Sequence, residues 1–130
     1  MIFIDSDFII DFLKGKENTK EFIENYNGQV CTSQINVFEI FFGIFQKSKT
    51  DEKEINFAED FFDSITVFPF DEKCGRISAK IFSSLIKEGK TIDQNDCFIG
   101  AIMLKNRIDN IVTGNTKHFS RIKGIKAVAY

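Results

Sequence analysis

The sequence has few of the residues that build metal clusters, disulfide frameworks or membrane spans. It contains no tryptophan, one proline, one histidine and three cysteines in 130 residues. A single histidine excludes zinc sites built from several imidazoles. The cysteines are odd in number and form no CxxC pair, so reduced, buried thiols in a cytosolic protein are predicted. No apolar run approaches the roughly 20 residues that span a bilayer and no secretory signal is evident, so a cytoplasmic protein without a membrane partner is expected.

Phenylalanine is abundant instead, with 16 copies in the chain. Its side chain is large and wholly apolar, so this number predicts a deep core and some apolar surface left for a partner. The length fits a single domain over residues 1–130. A formal net charge of −2 neither favours nor excludes a nucleic-acid partner, because bound metal and local Lys and Arg clusters would have to offset the acids.

Short apolar strands alternate with helical patterns along the chain. Strands are predicted at residues 2–5, 29–32, 65–68 and 111–113, with a candidate fifth at 126–129. Helices are predicted at 8–14, 19–26, 34–46, 51–64, 71–87 and 96–106, and the third is apolar nearly all round, which predicts burial on several sides. The alternation indicates an α/β three-layer sandwich around a mostly parallel sheet of four to five strands. Ligands of such sheets bind beyond the carboxyl ends of the strands, where Asp5 and Asn115 are expected.

Three acidic residues lie against apolar segments that are far apart in the sequence. Glu39 is the only charged residue between Cys31 and Gln46, Asp5 ends an apolar strand, and Asp96 opens an apolar helix. A carboxylate in such a place loses hydration, which is costly unless a cation or strong donors replace the water. Carboxylate oxygens suit Mg²⁺, so these acids predict one shared cation site. Without metal, at least one acid should hold its proton more tightly.

A divalent cation held by carboxylates is typical of phosphodiester hydrolysis. The ion lowers the pKa of a bound water, orients it and neutralises charge that builds on the phosphate, without a Cys or His nucleophile. Each acid also has a structural interpretation. Glu39 can pair with a Lys or Arg, Asp5 can cap a helix, and Asp96 can interact with a helix dipole.

Four segments resemble, in order, the motifs of PIN-domain ribonucleases of the VapC toxin type. They are IDSDFIIDFLKG at residues 4–15, TSQINVFEIFFG at 32–43, IDQNDCFIGA at 92–101 and IVTGNTKHFSRI at 111–122. The resemblance covers almost the whole chain. It implies a PIN-like fold and a Mg²⁺- or Mn²⁺-dependent endoribonuclease that acts on structured RNA, is inhibited by a cognate antitoxin and forms a homodimer.

The resemblance also assigns roles to residues. Asp5 and Asp96 correspond to the principal metal ligands, and Glu39 completes the acidic triad. Asn115 takes the fourth catalytic position, where many relatives have an acid, and His118 stands where an acid often precedes Phe. Asn115 can still bind a metal-held water through its amide oxygen, which leaves one or two metal ions open. Ser6 and Thr113 are predicted to hold backbone or carboxylate oxygens in place.

The two departures motivate an alternative, a catalytically weakened PIN scaffold that binds RNA or a protein without cleavage. A phosphoacceptor receiver domain is disfavoured, because the chain lacks the adjacent acids and the lysine that such a domain requires.

Asp7 and Asp93 are interpreted as caps, Asp11 as solvated and His118 as a surface residue. The phenylalanines at 38, 41, 42, 45, 57, 61 and 62 are predicted to lie mainly in the core, with part of them available for a dimer seam or an antitoxin groove. Basic residues near the strand ends can meet RNA phosphates or simply maintain solubility.

Overall fold

The computed structural model describes all 130 residues as five short strands and seven helices. The strands are β1 (Ile2–Ile4), β2 (Val30–Ser33), β3 (Thr66–Phe68), β4 (Asn110–Val112) and β5 (Lys126–Val128). The helices are α1 (Ser6–Leu13), α2 (Glu17–Asn25), α3 (Gln34–Phe45), α4 (Glu52–Asp63), α5 (Glu72–Lys87), α6 (Gln94–Lys105) and α7 (Thr116–Phe119). None of the helices has both the length and the apolar character needed to cross a membrane.

The strands form one sheet in the order β3-β2-β1-β4-β5, and every neighbouring pair is parallel. The predicted α/β sandwich is confirmed, and the sheet is parallel throughout rather than mostly so. β1 is the central strand, with Phe3 in register with Cys31 of β2 on one side and Ile111 of β4 on the other. Consecutive strands β1, β2 and β3 run towards one edge, and the chain then returns to place β4 on the opposite side of β1. This reversal of strand order is where ligands bind in open parallel sheets.

Helices cover both faces of the sheet because successive strand side chains point to opposite sides. Ile2 and Ile4 pack on one face with the apolar residues of α1, α3 and α4. Phe3 and Ile111 pack on the other face with residues of α5, α6 and α7. Both faces of β1 are therefore buried, as its continuous apolar sequence predicts.

Three helices begin two residues earlier than predicted, namely α1 at Ser6, α2 at Glu17 and α6 at Gln94, and one short helix was not predicted. α1 begins at Ser6, two residues earlier than expected, because the Asp5 carboxylate accepts a hydrogen bond from the Ser6 backbone N–H and caps the helix at once. The short helix α7 occupies Thr116–Phe119, beyond the turn predicted at Gly114. Four residues carry too little periodicity to reveal a helix in the sequence.

The prediction that α3 is buried on several sides is wrong. Only Asn36, Ile40 and Ile44 of this helix are buried. Phe38, Phe42 and Phe45 have exposed fractions of 59%, 54% and 58%, and we call these three residues the phenylalanine stripe. Phe57 of α4 is exposed as well, whereas Phe62 is buried. A helix in the outer layer of a sandwich packs one side against the sheet, so apolar residues around its whole circumference remain partly uncovered.

Candidate active site

Asp5 lies at the carboxyl end of the central strand, beside the end of β4. Its backbone N–H donates to the carbonyl of Val112, which brings Thr113 alongside it. The Thr113 hydroxyl donates to Asp5 Oδ2 at 2.7 Å, and the Ser6 N–H donates to Oδ1 at 2.8 Å. Asp5 is only 6% exposed, so these donors replace much of the water that its carboxylate loses.

A buried amide connects Asp5 with Glu39. Asn36 Nδ2 donates to Asp5 Oδ1 at 3.2 Å and to Ser6 Oγ at 3.0 Å, while Asn36 Oδ1 accepts from Ser33 Oγ at 2.6 Å. Ser6 Oγ in turn donates to Glu39 Oε1 at 2.8 Å. The predicted supporting roles of Ser6 and Thr113 agree with these contacts. Sequence reasoning missed Asn36, although it lies three residues before Glu39 and so shares its side of α3.

Asp96 lies in a second part of the site, with Asn115 and His118. Asn115 Nδ2 is 3.3 Å from Asp96 Oδ2 and 2.8 Å from His118 Nδ1. His118 Nδ1 is also 3.3 Å from Asp96 Oδ2. The Asn115 N–H donates to Thr113 Oγ1 at 2.9 Å, so the same hydroxyl that holds Asp5 holds this second part. His118, interpreted as a surface residue, therefore contacts a predicted catalytic acid.

Burial and mutual repulsion raise the proton affinity of the two buried acids. Burial is the main cause that raises the pKa of Asp5 to about 7, and the charges of Asp7 and Asp96 add to it, against the Thr113 hydrogen bond. Burial also raises the pKa of Asp96, and the charges of Asp93 and Glu39 contribute. The expectation that at least one acid holds its proton more tightly agrees with these shifts.

No lysine or arginine forms a salt bridge with Asp5, Glu39 or Asp96. The structural interpretation of Glu39 as half of an ion pair is therefore wrong, and its carboxylate is half-buried with the Ser6 hydroxyl as donor. Asp5 does cap α1, so its structural and catalytic interpretations are compatible. The negative charge of the site is left without a cationic side chain, which favours an added cation.

The neighbouring acids have contacts of their own. Asp7 accepts from the N–H of Phe8 and, through Oδ2, from the N–H of Gly114 at 2.7 Å, which fixes the loop after β4. Asp93 caps α6 as predicted. Asp11 was expected to be solvated, but it forms an ion pair with Lys16 and accepts from the Tyr130 hydroxyl.

The donor chemistry of the site suits a hard divalent cation. Asp5, Glu39 and Asp96 offer carboxylate oxygens, the ligands that Mg²⁺ and Mn²⁺ accept most readily. The Asp5 carboxylate has about four lone pairs and accepts three hydrogen bonds, so one lone pair remains for a further partner. No three His, Cys, Asp or Glu side chains are grouped closely enough to hold an ion as they stand. A single ion shared by Asp5, Glu39 and Asp96 thus stays a prediction.

Comparison with known proteins identifies the family. The profile of the PIN domain matches residues 2–125. The chain belongs to the PIN domain family. Ribonuclease VapC2 of Haemophilus influenzae is 28% identical over 126 residues, which cover 95% of this chain and 92% of that protein. The tRNA(fMet)-specific endonuclease VapC of Shigella flexneri is 26% identical over 124 residues, with 95% and 92% covered. The structure of VapBC-1 from nontypeable Haemophilus influenzae superposes with a TM-score of 0.84 at 26% identity, over 99% of this chain and 98% of that one.

Proposed function

We propose that this PIN-domain protein is a metal-dependent endoribonuclease that hydrolyses phosphodiester bonds in structured RNA, as the toxin of a toxin–antitoxin pair. The main observation behind this proposal is that the acids at the carboxyl edge of β1 and β4 form no salt bridge with a lysine or arginine. Two similar proteins are named as a ribonuclease and a tRNA endonuclease, which supports RNA as the substrate. The match covers 92% of the length of each of these two proteins.

Asp5, Glu39 and Asp96 would hold Mg²⁺ or Mn²⁺, which when bound supplies an activated water and neutralises charge on the scissile phosphate. The remaining residues position these acids. Thr113, Ser6 and Asn36 fix the Asp5 carboxylate in one orientation through hydrogen bonds of 2.7 to 3.2 Å. Asn115 Nδ2 and His118 Nδ1 each lie 3.3 Å from Asp96 Oδ2, so these two side chains restrict the position of that carboxylate. A preorganised set of carboxylates costs little reorganisation when substrate and cation arrive.

An apolar groove beside the acids supports the proposal that an inhibitory protein binds this chain. The groove has a volume of about 620 Å³ and lies between α1, α3 and α4. Its apolar lining includes Ile10, Leu13, Ile40, Ile44 and Phe57, and Glu39 forms part of the same wall. We assign this groove to a segment of the cognate antitoxin, because an apolar segment seated there would cover Glu39 and block the site. We assign the phenylalanine stripe to a second copy of the chain, in a homodimer.

Replacement of Asp96 by Asn tests the enzymatic proposal. Asp96→Asn keeps the size of the side chain but removes a charged ligand, so RNA cleavage with added Mg²⁺ or Mn²⁺ should fall about 100-fold or more. The measurement is the initial rate on a structured RNA, read on a denaturing gel. Asp60→Asn makes the same chemical change at an exposed position of α4 and should cleave at the wild-type rate.

Equal cleavage by wild type and Asp96→Asn would remove the claim that this site is catalytic. Absence of cleavage by wild type, together with a mobility shift of the same RNA, would favour the alternative of a PIN scaffold that binds RNA without cutting. The departures at Asn115 and His118 are the specific observations behind that alternative.

A further inference from the structure

We propose that Asp96, Asn115 and His118 form a metal-binding face with one nitrogen ligand, which favours a divalent first-row transition-metal ion over Mg²⁺. The inference rests on the proposed function in one respect, that this site binds a divalent cation. It goes beyond the acidic triad because two of the three ligands are neutral side chains and one is the only histidine of the chain.

The three side chains place their polar atoms at the corners of a nearly regular triangle. Its edges are 3.3 Å from Asp96 Oδ2 to Asn115 Nδ2, 2.8 Å from there to His118 Nδ1, and 3.3 Å from His118 Nδ1 back to Asp96 Oδ2. Neighbouring ligands of an octahedral ion with bonds of about 2.1 Å are about 3.0 Å apart. One ion above this triangle would therefore meet three ligands with little movement of their atoms.

Both neutral side chains can turn a lone pair towards the ion. His118 Nδ1 lies 2.8 Å from Asn115 Nδ2 and 3.3 Å from Asp96 Oδ2, and in the tautomer with the ring proton on Nε2 its lone pair is free to bind an ion. Asn115 donates through Nδ2, and a half-turn of the amide brings Oδ1 to the same place. The Asn115 backbone stays fixed by its N–H bond to Thr113 Oγ1. No change of the main chain is needed to convert the three hydrogen-bonded groups into ligands.

The nitrogen decides which ion binds best. Mg²⁺ prefers a shell made wholly of oxygen, whereas imidazole is a good ligand for first-row transition metals. A face made of carboxylate, amide oxygen and imidazole should therefore bind a transition-metal ion more tightly, relative to Mg²⁺, than an all-oxygen face would. His118 is partly exposed, with 37% of its side chain accessible, while Asp96 is mostly covered at 12%, so an ion can enter from the histidine side.

Manganese is the probe that reads the ligand directly. The full chain is stripped of metal with a chelator and given less than one equivalent of Mn²⁺, and pulsed electron paramagnetic resonance records ¹⁴N coupling to the ion. Wild type should show the coupling of a bound imidazole, which can arise only from His118 because the chain has no other histidine. His118→Asp restores an all-oxygen face and should abolish the coupling.

Calorimetric titration of Mn²⁺ and of Mg²⁺ gives the second readout. The ratio of Mn²⁺ affinity to Mg²⁺ affinity should fall about tenfold in His118→Asp. Asn115→Asp keeps the histidine and should retain the ¹⁴N signal, which makes it the matched control. Should His118→Asp prove unfolded by circular dichroism, His118→Gln provides the same loss of imidazole without an added charge.

Mn²⁺ bound to wild type without imidazole coupling, or an unchanged affinity ratio in the variant, would overturn the inference. Either result leaves the ribonuclease proposal intact if wild type cleaves RNA and Asp96→Asn does not. Coupling in a protein that cleaves no RNA would instead support the metal face and remove the nuclease. Failure to bind any Mn²⁺ overturns the metal face outright.

Discussion

At the scale of single residues, Asp5 carries a carboxylate into the interior at the centre of the sheet. Its pKa of about 7 in the folded protein lies well above the ordinary value of 3.8, mainly because burial disfavours the charged form. Between these two pH values the folded protein binds more protons than the unfolded chain. Raising the pH therefore removes stability from the metal-free protein, which is the opposite of the usual behaviour of a paired carboxylate.

This linkage gives a measurable pH dependence. In the presence of a chelator, the free energy of unfolding should decrease as the pH rises from 4 to 8, because Asp5 must ionise in the folded state. The shift from 3.8 to about 7 corresponds to on the order of 4 kcal/mol if Asp5 acts alone. Urea unfolding at several pH values measures the slope. Asp5→Asn should have a shallower slope and Asp60→Asn the wild-type slope, and equal slopes in all three proteins would contradict the assignment.

The contacts of Asn36 and His118 with the acids of the site could not be predicted from the sequence. Asn36 received no prediction and His118 was interpreted as a surface residue, yet each contacts a buried acid from another part of the chain. Residue type and local spacing identify a carboxylate among apolar neighbours, as they did for Glu39. They do not identify an amide or imidazole whose partner lies 22 or 31 positions away, because that partner is defined only by the packing of α3 or α7.

At the scale of elements, two helical glycines occupy opposite environments. A Cβ added to Gly43 in α3 would meet nothing within 4 Å. A Cβ added to Gly100 in α6 would lie 2.7 Å from Ile122 Cδ1 and 3.4 Å from Ile125 Cδ1. Ile122 is only 2% exposed, so its side chain has little space to move aside. The same mutation should consequently have opposite effects in the two helices.

Gly43→Ala should stabilise the protein by about 0.5 to 1 kcal/mol, because alanine loses less backbone entropy in a helix. Gly100→Ala gains the same propensity but overpacks the core, and a net loss of about 1 kcal/mol is expected. Thermal and urea unfolding of both variants measures the difference. A Gly100→Ala protein as stable as Gly43→Ala would show that the core beside α6 accommodates a methyl group.

Elements were predicted as well as their local signals allowed. β1 was found because three apolar residues in a row mark a strand covered on both faces, and α6 because Asp93 caps an apolar segment. α3 was located correctly but its burial was not, since composition reports that a helix is apolar and not how many neighbours cover it. The number of covering elements is a property of the layer in which the helix lies.

At the scale of the whole molecule, the phenylalanine stripe places three exposed aromatic side chains on one side of α3. Phe38 and Phe42 stack with ring centroids 5.7 Å apart, and Phe45 follows on the same side of α3. Aromatic side chains exposed together in this way mark contact surfaces, because each contributes large apolar area at little entropic cost. The excess of Phe predicted such a surface, and the phenylalanines named as candidates for a dimer seam or an antitoxin groove include all three residues of the stripe.

Replacement of one stripe residue should weaken self-association and leave the fold unchanged. Phe42→Ser is expected to raise the dimer dissociation constant about tenfold or more, because it removes the central ring of the stripe. Sedimentation over a range of concentrations measures this constant. Ile86→Ser, at a residue of α5 that is 53% exposed, is the matched control. Equal dissociation constants for Phe42→Ser and wild type would move the dimer seam to another surface.

The order in which the strands enter the sheet has a consequence for biosynthesis. Residues 1–106 contain Asp5, Glu39 and Asp96, but β4 and the following loop supply the hydroxyl of Thr113 that clamps Asp5 and the amide of Asn115 that meets Asp96. A nascent polypeptide emerging from a ribosome therefore exposes its acids well before it has the means to align them. A ribonuclease built in this order would lack the side chains that align its acids until residues 113–118 have left the exit tunnel.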